Sequence, residues 1–136
     1  MSYAISLKIK RFVAQRAGYR CEYCRVHQDD SNFYFHIEHI ISKKHGGTDD
    51  SDNLAFSCSR CNWKKGSDIG TILEHGGPLI FLFNPRKDNW FEHFEIVEGA
   101  IAPKTSIGAA TLKVLDLNTP DLIVERRELT AVQNYP

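Results

Sequence analysis

Apolar residues in the first third of the chain follow two rhythms. Ile9, Phe12, Val13 and Ala17 recur at helical spacing, which predicts a helix over residues 6–17 with Ser6 as N-cap and Gly18 as stop. Lys8, Arg11 and Gln15 then share its solvent face. Residues 33–41 are aromatic and β-branched and read as a strand. The turn-rich stretch from Lys43 to Asp52 follows, and residues 53–57 return as a second strand. Residues 58–65 predict a short helix closed by Gly66, and Gly76-Gly77-Pro78 marks a boundary. Beyond it, residues 79–83 and 91–97 read as strands, with 99–103 pairing back on the second. Ile107, Ala110, Val114 and Leu117 form one helical stripe; Thr119-Pro120 opens another helix through Leu122, Leu129 and Val132. The pattern marks a module over residues 1–75 and an extension over 76–136 expected to pack on it, the whole fitting one compact domain.

Composition narrows the classes. The 136 residues are 42% apolar and 25% charged, as in a globular protein, and no apolar run is long enough for a membrane span. The start, Met1 to Ser6, lacks the pattern of a secretory leader, so the expected compartment is the cytoplasm. Seventeen Lys and Arg balance seventeen Asp and Glu, which taken alone argues against a polyanion as partner. The sum hides a division: residues 1–66 carry eleven basic and seven acidic residues, net +4, and residues 67–136 are net −4.

All four cysteines fall in two C-x-x-C pairs, Cys21-Glu22-Tyr23-Cys24 and Cys58-Ser59-Arg60-Cys61. In a reducing compartment such pairs point to metal rather than disulfides, and two knuckles make a Cys₄ set for structural Zn²⁺. Four thiolates saturate the ion and leave no position for an activated water, so chemistry must come from elsewhere.

Between the pairs lie Phe35-His36-Ile37-Glu38-His39-Ile40-Ile41, then Gly46-Gly47-Thr48, then Asp52-Asn53-Leu54, and Cys61-Asn62-Trp63-Lys64-Lys65-Gly66 follows the second knuckle. In order and spacing this resembles the HNH endonuclease family over residues 18–68. The segment Leu82-Phe83-Asn84-Pro85-Arg86, with Trp90 and His93-Phe94, is similar to the C-terminal part of small bacterial HNH proteins. The resemblance implies an α+β fold: a ββα-metal module with structural zinc, an N-terminal helix before it and a small strand-then-helix extension after it. It also implies a hairpin and helix that hold one divalent cation against a scissile phosphate in DNA.

The residue chemistry agrees with that implication. Phosphodiester hydrolysis needs an activated water, a cation against charge building on the phosphate, and stabilisation of the leaving oxygen. His39 suits a general base, since imidazole ordinarily titrates near neutrality. Glu38 and Asn62 offer hard oxygens for Mg²⁺ or Mn²⁺. By the family pattern Asn53 orients the hairpin loop. The family more often has aspartate at the Glu38 position and histidine at the Asn62 position; the longer Glu38 side chain moves the carboxylate outward. A flat strand would send Glu38 and His39 to opposite faces, so a strand end or bulge is expected at His39. His36 shares a face with Glu38 and is a weaker candidate for a third ligand or phosphate contact. Lys43, Lys44, Arg60, Lys64 and Lys65 are candidates for the nucleic-acid backbone. Arg86, Trp90 and His93 are expected to fasten the tail to the zinc module, while His27, His45 and His75 carry no signal.

Two rivals share the four thiolates. A non-catalytic zinc-ribbon module binding nucleic acid or protein would need no second metal and no His39, and a zinc redox protein would lose its metal on mild oxidation. A single HNH site nicks one strand, so double-strand cleavage would call for a homodimer or two events.

Overall fold

The computed structural model describes residues 5–136; Met1 to Ala4, on which the leader reading partly rests, lie outside the described residues. The chain forms two compact units, one ending at Ser67 and one running from Asp68 to Pro136. Helices and small antiparallel sheets alternate in both, an α+β fold as the patterns predict. No helix among the described residues is long and apolar enough to cross a membrane.

In the first unit, α1 (Leu7–Arg16) starts at Ser6, whose hydroxyl accepts from the Ile9 amide at 3.2 Å. It packs on a hairpin of β1 (His36–His39) and β2 (Leu54–Ser57), paired in the register His36 to Ser57 and His39 to Leu54. Ile5, Val13, Leu54 and Phe56 are the buried centre, with Ile9, Phe35 and Ile37 packed around them. Arg16 fastens helix to hairpin by donating to the Ser51 and Leu54 carbonyls, both at 2.9 Å. β1 is shorter than the aromatic run that encodes it. Its partner ends at Ser57, where Cys58 turns into α2 (Ser59–Lys65), and Phe33 and Tyr34 are left exposed. At the other end β1 stops at His39, the strand end expected there.

In the second unit β3 (Gly70–Ile72) and β4 (Leu79–Phe81) pair around the Gly76-Gly77-Pro78 turn. The strand expected over 79–83 stops early because the Phe83 amide donates to Thr111 Oγ1 at 2.8 Å instead of to a strand. Residues 91–93, expected as strand, belong to the short helix α3 (Trp90–His93): Asn89 accepts from the Phe91 amide and nucleates a turn. β5 (Phe94–Val97) and β6 (Ala100–Pro103) form the expected hairpin. α4 (Ser106–Leu115) buries Ala110, Thr111 and Leu115, a face displaced from the predicted stripe, of which Val114 is only half-buried. α5 (Pro120–Ala131) opens on Thr119-Pro120 as predicted, but its fully buried side chain is Arg126. That guanidinium donates to the Gly99 and Leu117 carbonyls and to Asn118 Oδ1 at 2.6, 2.7 and 2.9 Å, which satisfies a charge otherwise costly to bury. Trp90 is buried against Phe94, and His93 bonds Thr105, so both serve this unit's own core.

Candidate metal centre and active site

The two knuckles converge. One ligand atom from each of Cys21, Cys24, Cys58 and Cys61 lies within 4.8 Å of all the others, and Cys24 and Cys58 Sγ stand 3.8 Å apart. That separation is far beyond a disulfide bond and matches the roughly 3.8 Å edge of a tetrahedron built on a 2.3 Å Zn–S bond. The knuckle backbone turns toward the sulfurs: the Cys24 amide donates to Cys21 Sγ and the Cys61 amide to Cys58 Sγ. Burial opposes ionisation of Cys21, but hydrogen bonds from the other three thiols outweigh it and hold that thiol well below its ordinary range. Hydrogen bonding to Cys21 pushes Cys24 and Cys61 up in turn. The four cysteines are thus positioned to bind a zinc-type ion. The first knuckle is clamped to β2 by Glu22, whose amide donates to the Phe56 carbonyl and whose carboxylate accepts from the Phe56 amide.

The loop from β1 to β2 is held by Asn53. Its Oδ1 accepts from the Ile41 amide, and its Nδ2 donates to the Ile41 and Thr48 carbonyls, all at 2.9–3.0 Å. Gly47 passes so close that a Cβ there would overlap the Ile41 carbonyl and crowd Asn53 Nδ2. Gly46 supplies the left-handed turn before it. The Gly-Gly pair and Asn53 are therefore parts of one device, which fixes the loop against the end of β1.

His39 sits at that end, and its partner is Asp49, which sequence reasoning missed. His39 Nε2 lies 2.7 Å from Asp49 Oδ1, and Lys43 Nζ is 2.7 Å from Asp49 Oδ2. The Lys43 ammonium, then His39, hold the Asp49 carboxyl below its ordinary range, so it is an ionised acceptor. An acceptor fixes the donor: Nε2 carries the hydrogen, and neutral His39 has its lone pair on Nδ1. Nothing in the run Asp49-Asp50-Ser51-Asp52 distinguishes Asp49 from its neighbours as His39's partner.

Glu38 points elsewhere. With its side chain 4% exposed, it accepts from the Tyr23 hydroxyl through Oε1 and pairs with Lys65 Nζ through Oε2 at 3.4 Å. Burial raises its carboxyl above the usual range, against the opposing pull of Lys65 and Tyr23. Tyr23 is pushed up in its turn, first by burial and then by Glu38. The regular pairing of Glu38 with Ala55 and His39 with Leu54 keeps the alternation of the strand, so its end at His39 does not bring the two side chains together.

Around α2, Asn62 falls between Ser59, which bonds His36 Nε2 at 3.1 Å, and Lys65, which pairs with Glu38. It therefore lies on the face of α2 turned to β1. His36 is exposed and held by Ser59. Lys65, grouped with the surface cations in the sequence, is instead buried: its ammonium also donates to the His39 and Ile40 carbonyls at 3.3 and 2.8 Å. Helical phase explains this, since Lys65 is four residues from Cys61 and shares its inward face. Lys43 is half-exposed and bound to Asp49, Lys44 and Lys64 are exposed, and Arg60 is half-buried.

With this geometry in view, comparison with known proteins is specific. The HNH endonuclease family matches residues 21–68, a span that takes in both knuckles, the hairpin, its loop and α2. In an alignment 128 positions long that covers 89% of the chain, it is 29% identical to Septu protein PtuB of Bacillus thuringiensis, of which it spans 45%. No solved structure matches it significantly.

Proposed function

With residues 21–68 as an HNH domain, we propose that the protein is a divalent-cation-dependent endonuclease that hydrolyses phosphodiester bonds in DNA. The observation that carries this reading is His39 on ionised Asp49, which leaves an imidazole lone pair on Nδ1 at the end of β1. In the proposal Nδ1 takes the proton of the attacking water, Asp49 is the positioning residue that holds the ring and its tautomer, and Asn53 and Gly47 hold the loop that carries Asp49. A structural Zn²⁺ on Cys21, Cys24, Cys58 and Cys61 joins the knuckles beneath the hairpin and α2.

Glu38 and Asn62 are the residues that would hold Mg²⁺ or Mn²⁺. Their oxygens have the hardness such ions prefer, and helical phase puts Asn62 on the side of α2 turned to β1. Glu38 already contacts one cation, the Lys65 ammonium, so binding a metal requires it to give up that contact; Lys65 keeps two carbonyl acceptors. The regular alternation of β1 keeps Glu38 on the face opposite His39, so an ion held there would offset charge on a phosphate attacked from His39 only once the end of β1 rearranges. The expected products carry 5′-phosphate and 3′-hydroxyl ends. One site nicks one strand, and cutting both takes two events or a homodimer. Arg60 and Lys64 supply backbone contacts in this reading, with Lys43 engaged by Asp49 and Lys44 on the loop as a further surface charge. The likeness to Septu protein PtuB covers both units, so we carry the second unit as part of the same kind of protein. We place it in the cytoplasm, where the four thiols stay reduced.

The test is nicking of supercoiled plasmid by the full chain with Mg²⁺ or Mn²⁺. Nicking is expected with one of these ions and lost in His39→Ala; undiminished nicking in that variant would remove His39 from the reaction. A non-catalytic zinc module is the second reading, favoured by the burial of Glu38 against Lys65. It predicts metal on the four thiols and an intact plasmid under every divalent ion.

A further inference from the structure

Three aromatic side chains of the first unit stand in solvent, two just before β1 and one on α2. Tyr34 is 87% exposed, Trp63 84% and Phe33 70%. Leaving a tryptophan in water forgoes the stabilisation its burial would bring, so a group of such rings signals a binding surface. The Tyr34 backbone is tied to the helix that carries Trp63. Ser59 Oγ donates to the Tyr34 carbonyl at 3.2 Å, and Trp63 lies one turn further along the same helix, where residues four apart are neighbours.

The backbone beneath them is fixed. Cys61 and Lys65 anchor the inward face of α2 to the thiol cluster and to the His39 and Ile40 carbonyls. Going round the helix from Asn62, the order is Ser59, Trp63, Arg60 and Lys64. The indole therefore lies between a candidate cation ligand and two side chains of positive charge.

We propose that Trp63 and Tyr34 are a stacking platform for unpaired nucleobases, so that the substrate class is single-stranded or locally unpaired DNA. The proposal rests on the nuclease reading above and deepens it. Every nucleobase has an apolar face that stacks on an aromatic ring, whereas a paired and stacked duplex offers none along its length. Arg60 and Lys64 complement the phosphates of the same strand, a charge pairing that an acidic or neutral protein surface would use without needing the flat indole.

The test measures binding by the full, zinc-loaded chain carrying His39→Ala, so that nothing is cut. The probes are a short oligothymidylate and a duplex of equal length. Oligothymidylate is expected to quench tryptophan emission. Adding Trp63→Ala should remove the quench and weaken single-strand binding about tenfold, the scale of one lost stack. Trp63→Phe should retain most of the affinity, Tyr34→Ala should weaken it, and duplex binding should be unchanged throughout.

Unchanged oligothymidylate affinity in both alanine variants would overturn the platform, as would an equal loss for duplex and single strand. So would a change of oligomeric state in Trp63→Ala without a change in oligothymidylate binding, since the patch would then serve a second copy of the chain. Plasmid nicking by the unmodified protein separates the two ideas. Intact His39-dependent nicking with no role for Trp63 sinks the platform alone, and Trp63-dependent binding without cleavage sinks the nuclease reading alone.

Discussion

Replacing Lys65 by Met keeps a long apolar stem and removes one ammonium from the interior of the first unit. The Glu38 and Lys65 side chains are 4% and 2% exposed, so neither is solvated by bulk water. The variant leaves Oε2 of Glu38 without its cation and the His39 and Ile40 carbonyls without the donor they share. Stripping one partner from a buried pair costs about 3–5 kcal/mol, far more than a surface ion pair is worth. Amide exchange at Ile40 and Phe56, both hydrogen-bonded about the hairpin, should therefore quicken by about a hundredfold or more at neutral pH.

The pH dependence has a defined sign. Burial already raises the Glu38 carboxyl in the folded protein, and without Lys65 it rises further. The folded state then holds a proton that the unfolded state has released. Stability contributed by that proton is complete below the unfolded value, near 4.3, and is lost as pH climbs through the folded one, by up to about 1.4 kcal/mol per pH unit. The Lys65→Met penalty should thus shrink toward pH 4, and adding Glu38→Gln should recover most of it at pH 7. Exchange within about fivefold of the parent at pH 7, or an equal penalty with and without the Glu38 charge, would refute the buried-pair account.

Other changes act on separate parts of the first unit. Gly47→Ala drives a methyl into the Ile41 carbonyl and against Asn53; it should cost at least about 2 kcal/mol, read by exchange of the Ile41 amide, and a neutral result would mean the loop is free to shift. Removing metal with a chelator should collapse the NMR signals of residues up to Ser67 while those from Asp68 onward persist; retention of both sets would show that the thiol cluster is not needed for folding. Asp49→Asn should lower nicking about tenfold or more and shift the ¹⁵N resonances of the His39 ring away from the Nε2–H tautomer, with Asp49→Glu restoring part of both; an unmoved tautomer would dismiss Asp49 as the positioning residue.

What the sequence conveys and what it withholds follow one physical line. Patterns set by the local backbone are legible: the Ser6 cap, the two C-x-x-C knuckles, the Gly46-Gly47 turn, the Thr119-Pro120 helix start, while Asn53 stands out only through the family resemblance. Choices made by tertiary contact are not. Trp90 and Phe91 have strand propensity, but the Asn89 cap makes them helical. Gly70-Thr71-Ile72 is too short to announce a strand and becomes one only by pairing with β4. Lys64 and Lys65 look alike as charges, and only the phase relative to Cys61 separates the exposed one from the buried one. That phase could have been read, because a metal ligand fixes which face of a helix is inward.

The same buried contacts change the meaning of the charge division. The first segment's surplus of four positive charges includes Lys65, neutralised by Glu38 inside the unit, and Lys43, held by Asp49 in the loop. On α2 the positively charged side chains next to Trp63 round the helix are Arg60 and Lys64, two positions for two phosphates. Two phosphates neutralised on a single strand give a log–log salt slope of about −1.4, against about −2.8 if four phosphates were engaged. Affinity must then come largely from stacking, which salt does not screen. Oligothymidylate binding measured from low to moderate salt should show the shallow slope and keep it in Trp63→Ala, with only the intercept lowered. A steep slope would assign the binding to phosphate charge and take the indole out of the account.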